Sequence, residues 1–277
     1  MARKKYSMTE ARIRRFIREG RGKGSGSNYK PWHRVSDVPS LGRVHRPFGN
    51  KAGRQHHLLS DNEYFSFLIA EWDDNVIDIR EQFPLLERHE TVEIALSCGV
   101  KHPVDPHSQA LWVLTTDQLL TVNTNNGIQL VARTIKQADD LGDERTLEKL
   151  EIERRYWMRR GVAWEIVTNL QLKNQYTKNL ALIFDNQALD PERQQSMINE
   201  VVYRELVKVK HLHPYTPVKI ICSSIDRQYG YLNGESLAAL RRLLWSKRIW
   251  IDLNVRNIQD LPIHQFEILK GNENENK

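Results

Sequence analysis

At 277 residues and 40% hydrophobic content, the chain has apolar material for two ordinary cores, which excludes a disordered or fibrous protein. Its two cysteines, Cys98 and Cys222, lack partners at metal-ligand spacing, and no run of about 18 apolar residues or secretory h-region occurs. This excludes a zinc finger, a disulfide framework and a membrane span, and leads us to expect a cytoplasmic protein. The net charge of +6 is uneven: residues 1–60 hold fifteen Lys/Arg against three Asp/Glu, the asymmetry of a nucleic-acid-binding segment.

In chain order, residues 8–19 can form a short basic helix, which Gly20, Gly22, Gly24 and Gly26 interrupt. The following stretch has no Walker spacing. Arg21, Lys23, Lys30 and Trp32 read equally well as contacts along a phosphate backbone or as part of a flexible linker, and Arg54 is a further candidate cation. Ser60 opens a helix, because Ser60-x-x-Glu63 has capping-box form and apolar positions follow as far as Trp72. Residues 76–83 alternate as a strand ended by Pro84, and 111–122 and 128–136 read as strands around a turn at Asn123 to Gly127. Asp143 to Arg160 reads as a helix, acidic at its start and stopped by Gly161. Ala163 to Val167 is a short strand. Helix, three strands, helix, strand is the order of a mixed α/β sheet flanked by helices.

Beyond about residue 170 the pattern turns helical, over Pro191 to His211 and Gly234 to Lys247. The stretch 249–269 reads as a β-hairpin, and helices followed by a hairpin point to a smaller winged-helix-like module. The polar tail, 271–277, is expected to be disordered. The resulting division is a basic DNA-binding arm over 1–60, a core over 61–170, and a partner- or DNA-binding domain over 171–277.

Asp117 stands in a strand built mainly of Leu, Val and Thr, where an acid is costly unless paired or metal-bound. Lys136 ends the next strand, and Thr134, two residues before it, shares its face. Asp117 and Lys136 can therefore meet across neighbouring strands, with Glu63 as a second carboxylate. Two carboxylates with waters and a phosphate make an oxygen set suited to a hard divalent cation, and a lysine beside it can orient or deprotonate water. The same residues have plainer readings: a capping-box glutamate, a strand-edge aspartate and an exposed strand-end lysine.

Three long segments, REGRGKGSGSNYKPW, HHLLSDNEYFSFLIAEWDDNVIDIREQFPLL and DERTLEKLEIERRYW, resemble the TnsA family, the endonuclease subunits of heteromeric TnsABC-type transposases. The resemblance implies a restriction-endonuclease-like fold in the core. It places nuclease acids at Glu63 and Asp117 and the lysine at Lys136, counted seven residues before Asp143. Where related nucleases carry an acid two residues before the lysine, and TnsA a glutamine, this chain has Thr134, a neutral third metal ligand.

The resemblance further implies a Mg-dependent (or Mn-dependent) endonuclease that cuts the 5′ strands at transposon ends in double-stranded DNA. Its partners would be a TnsB-type recombinase and a TnsC-type ATPase regulator. A stand-alone restriction-type or repair endonuclease, and a non-catalytic DNA-binding scaffold subunit, are the alternatives.

Overall fold

The computed structural model describes residues 7–38, 42–184 and 192–269, with the side chains of 192–196 excepted; the first six residues and the tail 271–277 lie outside the described residues. Two compact units divide at Lys173/Asn174.

The first unit opens with α1 (Glu10–Arg18), capped by Thr9, whose hydroxyl accepts from Arg12 N. A short antiparallel pair follows, β1 (Phe48–Gly49) and β2 (Arg54–Gln55), and then α2 (Asp61–Trp72). Ser60 caps the helix as read, but the reciprocal half of a capping box is replaced by a bond to the residue before the cap. Ser60 Oγ accepts from Glu63 N at 3.1 Å, while the Glu63 carboxylate turns back to Leu59 N at 3.0 Å. Strand β3 (Val76–Pro84) and helix α3 (Arg88–Ser97) come next. The sequence reading has no counterpart for α3, whose buried positions Thr91, Ile94 and Ala95 carry little amphipathic signal. Strands β4 (Thr115–Thr124) and β5 (Gly127–Lys136), helix α4 (Glu144–Arg159), β6 (Ala163–Thr168) and the single turn α5 (Asn169–Leu172) complete the unit.

The sheet order is β3-β4-β5-β6, antiparallel in its first two pairings and parallel in the last. Helix α4 provides the crossover that a parallel pair requires. Helices meet β5 from both faces, as side-chain alternation dictates: Ala132 packs with Ile152 and Trp157 of α4, whereas Arg133 reaches Ser66 of α2. The sheet is thus the mixed, helix-flanked one expected.

Residues 7–38 are built into this unit. Met8, Ile13, Phe16 and Trp32 form a buried cluster with Val113. The glycines there serve close approach: Gly22 has φ +79°, and a Cβ on it would stand 2.2 Å from Pro84 Cγ. We expect Gly22→Ala to cost about 1–3 kcal/mol from overpacking, with added strain from the left-handed backbone. A melting curve superimposable on the parent's would refute this.

The second unit contains α6 (Gln175–Phe184), α7 (Glu192–Leu212), α8 (Val218–Tyr229), α9 (Glu235–Trp245) and a minimal antiparallel pair, β7 (Ile249–Trp250) with β8 (Glu267–Ile268). The expected hairpin over 249–269 contracts to two residue pairs. Between them Leu253, Ile258, Ile263 and Phe266 turn inward and are buried, and Asn179 Nδ2 donates to the carbonyls of Leu253 and Val255, both at 2.8 Å. Burial of these apolar side chains outweighs continued strand pairing. Among the described residues no helix is long and apolar enough to cross a membrane.

Candidate active site

The candidate site lies where the sheet opens. Pairing of β4 with β5 runs from Thr124 opposite Gly127 to Gln118 opposite Arg133 and stops one residue before Asp117. Freed from the regular ladder, the Asp117 carboxylate accepts from Ile135 N at 2.7 Å and from Lys136 Nζ at 3.3 Å. Gln82, in β3, has φ +49°, a strained conformation for a residue with a side chain. Its amide donates to Glu63 Oε2 at 3.3 Å.

Glu63 is 7% exposed, and its carboxyl is pushed up to about 8, first by burial and then by the neighbouring charge of Asp117. Lys136 is pulled down by burial, but Asp117 and Glu153 outweigh this, and its ammonium is held above the usual lysine range. It stays protonated at neutral pH. Deprotonation of water by Lys136 is therefore disfavoured, and its chemistry is that of a fixed cation.

One acid at the site escaped the sequence reading. Glu153, on α4, is 5% exposed and accepts from Thr134 Oγ1 at 2.5 Å and Thr116 Oγ1 at 2.7 Å. Trp157 Nε1 in turn donates to Thr116 Oγ1 at 2.7 Å. Burial raises the Glu153 carboxyl to about 7, the Thr134 hydroxyl opposing that shift and Asp117 adding to it. Thr134 is itself 1% exposed, so its hydroxyl holds Glu153 rather than facing outward as a ligand. The threonine where an acid is usual is thus coupled to an acid from the adjoining helix. A signal was present: Glu153 is an acid on the apolar stripe formed by Leu150, Ile152, Tyr156 and Trp157.

The candidate cations of the N-terminal segment separate into two groups. Arg21 is 4% exposed and ion-paired with Glu19 at 2.7 Å and Asp37 at 2.5 Å. Arg54 is 9% exposed and forks onto the Glu81 carboxylate. Both are committed to internal carboxylates, which corrects the reading of them as phosphate contacts: a guanidinium so paired cannot turn outward without stranding a buried charge. Lys23 and Lys30 are exposed, and Lys30 Nζ donates to Glu19 O at 3.1 Å. Trp32 is fully buried and serves packing.

The donor chemistry fits a hard divalent cation. Glu63 and Asp117 are neighbouring carboxylates whose mutual repulsion a cation would relieve, although among the described residues no three acidic, His or Cys side chains converge tightly enough to enclose an ion alone. Water and substrate phosphate would complete such a shell. This has a pH signature. Glu63 and Glu153 bind protons more tightly folded than unfolded, so without a cation stability falls as pH rises from 6.5 toward 8. Below 6.5 the buried His33, lowered to about 4, works in the opposite sense. We expect the melting temperature in chelator to fall across that window, and Mg to reverse the trend. A pH-independent melting temperature would contradict this arrangement of acids.

The description TnsA-like endonuclease, N-terminal, matches residues 73–169, and TnsA endonuclease, C-terminal, matches residues 171–253. Asp117, Thr134, Lys136 and Glu153 lie within the first match, and Glu63 just before it. The chain is 39% identical over 247 residues to the Tn7 transposition protein TnsA of Escherichia coli, across 88% of this chain and 86% of that protein.

Proposed function

Since the chain belongs to the TnsA endonuclease family, we propose that it is a transposase subunit that hydrolyses one phosphodiester in the 5′ strand at each transposon end. The observation that carries this reading is the convergence of Asp117, Lys136 and buried Glu63 where β4 and β5 separate, beside a Thr134-held Glu153.

Each residue has a role that its surroundings support. Glu63 and Asp117 would hold a Mg or Mn ion, which when bound supplies charge neutralisation at the scissile phosphate and acidifies a bound water. Lys136, kept protonated by its acidic neighbours, faces the negative charge that develops on the phosphate oxygens. Glu153, titrating near neutrality, is suited to take up a proton as water attacks, and Thr116 and Thr134 fix its orientation. Double-stranded DNA at transposon ends is the substrate, with a recombinase for the 3′ strands and an ATPase regulator as partners.

Glu153→Gln keeps an acceptor for both threonine hydroxyls while removing the titration. We expect it to lower 5′-strand cleavage by the reconstituted transposase by about 10²-fold, the typical worth of a general base, with little change in melting temperature. Cleavage at the parent rate would remove Glu153 from the mechanism. Cleavage that needs no divalent metal in the parent would overturn the role of Glu63 and Asp117 as metal ligands, and absence of 5′-strand cleavage by the parent complex with Mg or Mn would overturn the nuclease reading itself.

A further inference from the structure

We propose that the strand to be cut runs away from the site along a cleft between the first turns of α4 and segment 99–115, with Lys149 as its phosphate contact and Trp112 and Leu114 as its apolar floor. This rests on the nuclease reading and adds a substrate path to it.

The cleft comprises two adjoining pockets that share part of their lining. The inner one, about 410 Å³, is lined by Lys136 and Lys149 together with the acids Glu153 and Asp140, and so opens directly from the candidate site with its charges nearly balanced. The outer one, about 870 Å³, is lined by Lys101 and Arg145. Trp112, Leu114 and Lys149 border both. A phosphate at Lys136 belongs to a polymer, and the polymer must leave by a continuous channel. Here one begins at the same lysine.

The chemistry of the walls suits a nucleic-acid strand. The outer chamber presents three permanent cations, Lys101, Arg145 and Lys149, against one carboxylate, Glu148. Glu148 is paired with Arg145, which also donates to Lys101 O at 2.7 Å, so the guanidinium is held in place. His102 and His33, which line the two chambers, are shifted downward by burial and remain neutral. The positive charge is therefore that of the lysines and the arginine. The floor is anchored through its backbone: Trp112 N donates to Pro103 O at 3.0 Å, and Leu114 O accepts from Leu85 N at 2.8 Å. The Trp112 and Leu114 side chains are partly buried against the two core clusters of this unit. An apolar floor against the sugars beneath a cationic rim for the phosphates can hold one strand of a duplex by its backbone without reading its sequence.

The test is fluorescence anisotropy with the full chain and a labelled 40-base-pair duplex, in chelator, across a salt series. Lys149→Ala is expected to weaken binding three- to tenfold and to lower the slope of log affinity against log salt by about 1, the signature of one lost phosphate contact. Lys149→Arg should restore both. Trp112→Leu should weaken binding with the slope unchanged, and Lys178→Ala, in the second unit, should do nothing. An unchanged slope in Lys149→Ala, or failure of the parent chain to bind the duplex, overturns the path. Cleavage by Asp117→Ala at the parent rate would instead overturn the nuclease reading, and the salt slope would still report on the cleft.

Discussion

Asp117→Ala is expected to lower 5′-strand cleavage by the assembled transposase on the order of 10³-fold, about 4 kcal/mol in the barrier, while leaving 3′-strand joining intact. Three roles meet in this one carboxylate. It fixes the Lys136 ammonium, it accepts the Ile135 amide where the strands separate, and with Glu63 it forms the negative pocket suited to a divalent ion. The fold should survive, because Asp117 is only partly buried and its charge disfavours ionised Glu63. Relief of that repulsion should draw the Glu63 carboxyl down toward the ordinary range. Strand-resolved cleavage on end-labelled DNA, alongside circular dichroism, decides the matter. Loss of cutting on both strands, or of neither, would be fatal to the assignment. Lys136→Ala should share the cleavage defect but not the Glu63 shift, since removing a cation leaves the two carboxylates facing each other.

The largest expected loss of stability is elsewhere, at Glu81. Its side chain is fully buried and accepts from Arg54 Nη1 at 2.8 Å, Arg54 Nη2 at 2.6 Å, His56 Nδ1 at 2.8 Å and His57 N at 3.0 Å. Glu81→Ala would strand the buried guanidinium and cost about 3–5 kcal/mol. In a unit of this size that lowers the melting temperature on the order of 10 °C. Burial alone would raise the Glu81 carboxyl, but His56 and Arg54 outweigh it and hold the group far below the ordinary carboxylate range. The stability it contributes is therefore present above pH 4.5 and is lost as pH falls toward the folded value. Glu81→Gln should be clearly less stable than the parent at pH 7, with the gap narrowing in acid. A constant gap across that range would show that shape rather than charge holds the cluster.

These two aspartate and glutamate sites also mark how differently residues can be read. Local rules determined much of the chain. Ser60 as a helix cap, the turn at Asn123 to Gly127, and α4 between Asp143 and Gly161 follow from side chains acting on their own backbone, and a strand does cover 76–83, although buried Asp78, Ile79, Glu81 and Gln82 break its expected alternation. The candidate residues Glu63, Asp117 and Lys136 were legible in the same way, through helix and strand position joined to the resemblance of the flanking segments. Features that depend on partners distant in sequence were not. The N-terminal cations look alike in sequence, yet Arg21 and Arg54 are internal ion pairs while Lys23 and Lys30 are exposed. Glycines 22 and 24 suggest a linker until Pro84 and the Asn28 carbonyl are seen against them.

Thr134 shows the division most sharply. The sequence by itself determined that no acid stands two residues before Lys136. Only the tertiary structure decided what that means, because the nearest carboxyl, Glu153, belongs to a helix that crosses back over the sheet and is hydrogen-bonded to Thr134. Hydrogen-bond capping and side-chain periodicity act over a few residues and can be read in one dimension. Desolvation and charge coupling act through space, and which acids share one buried pocket is settled only when the sheet and α4 pack together.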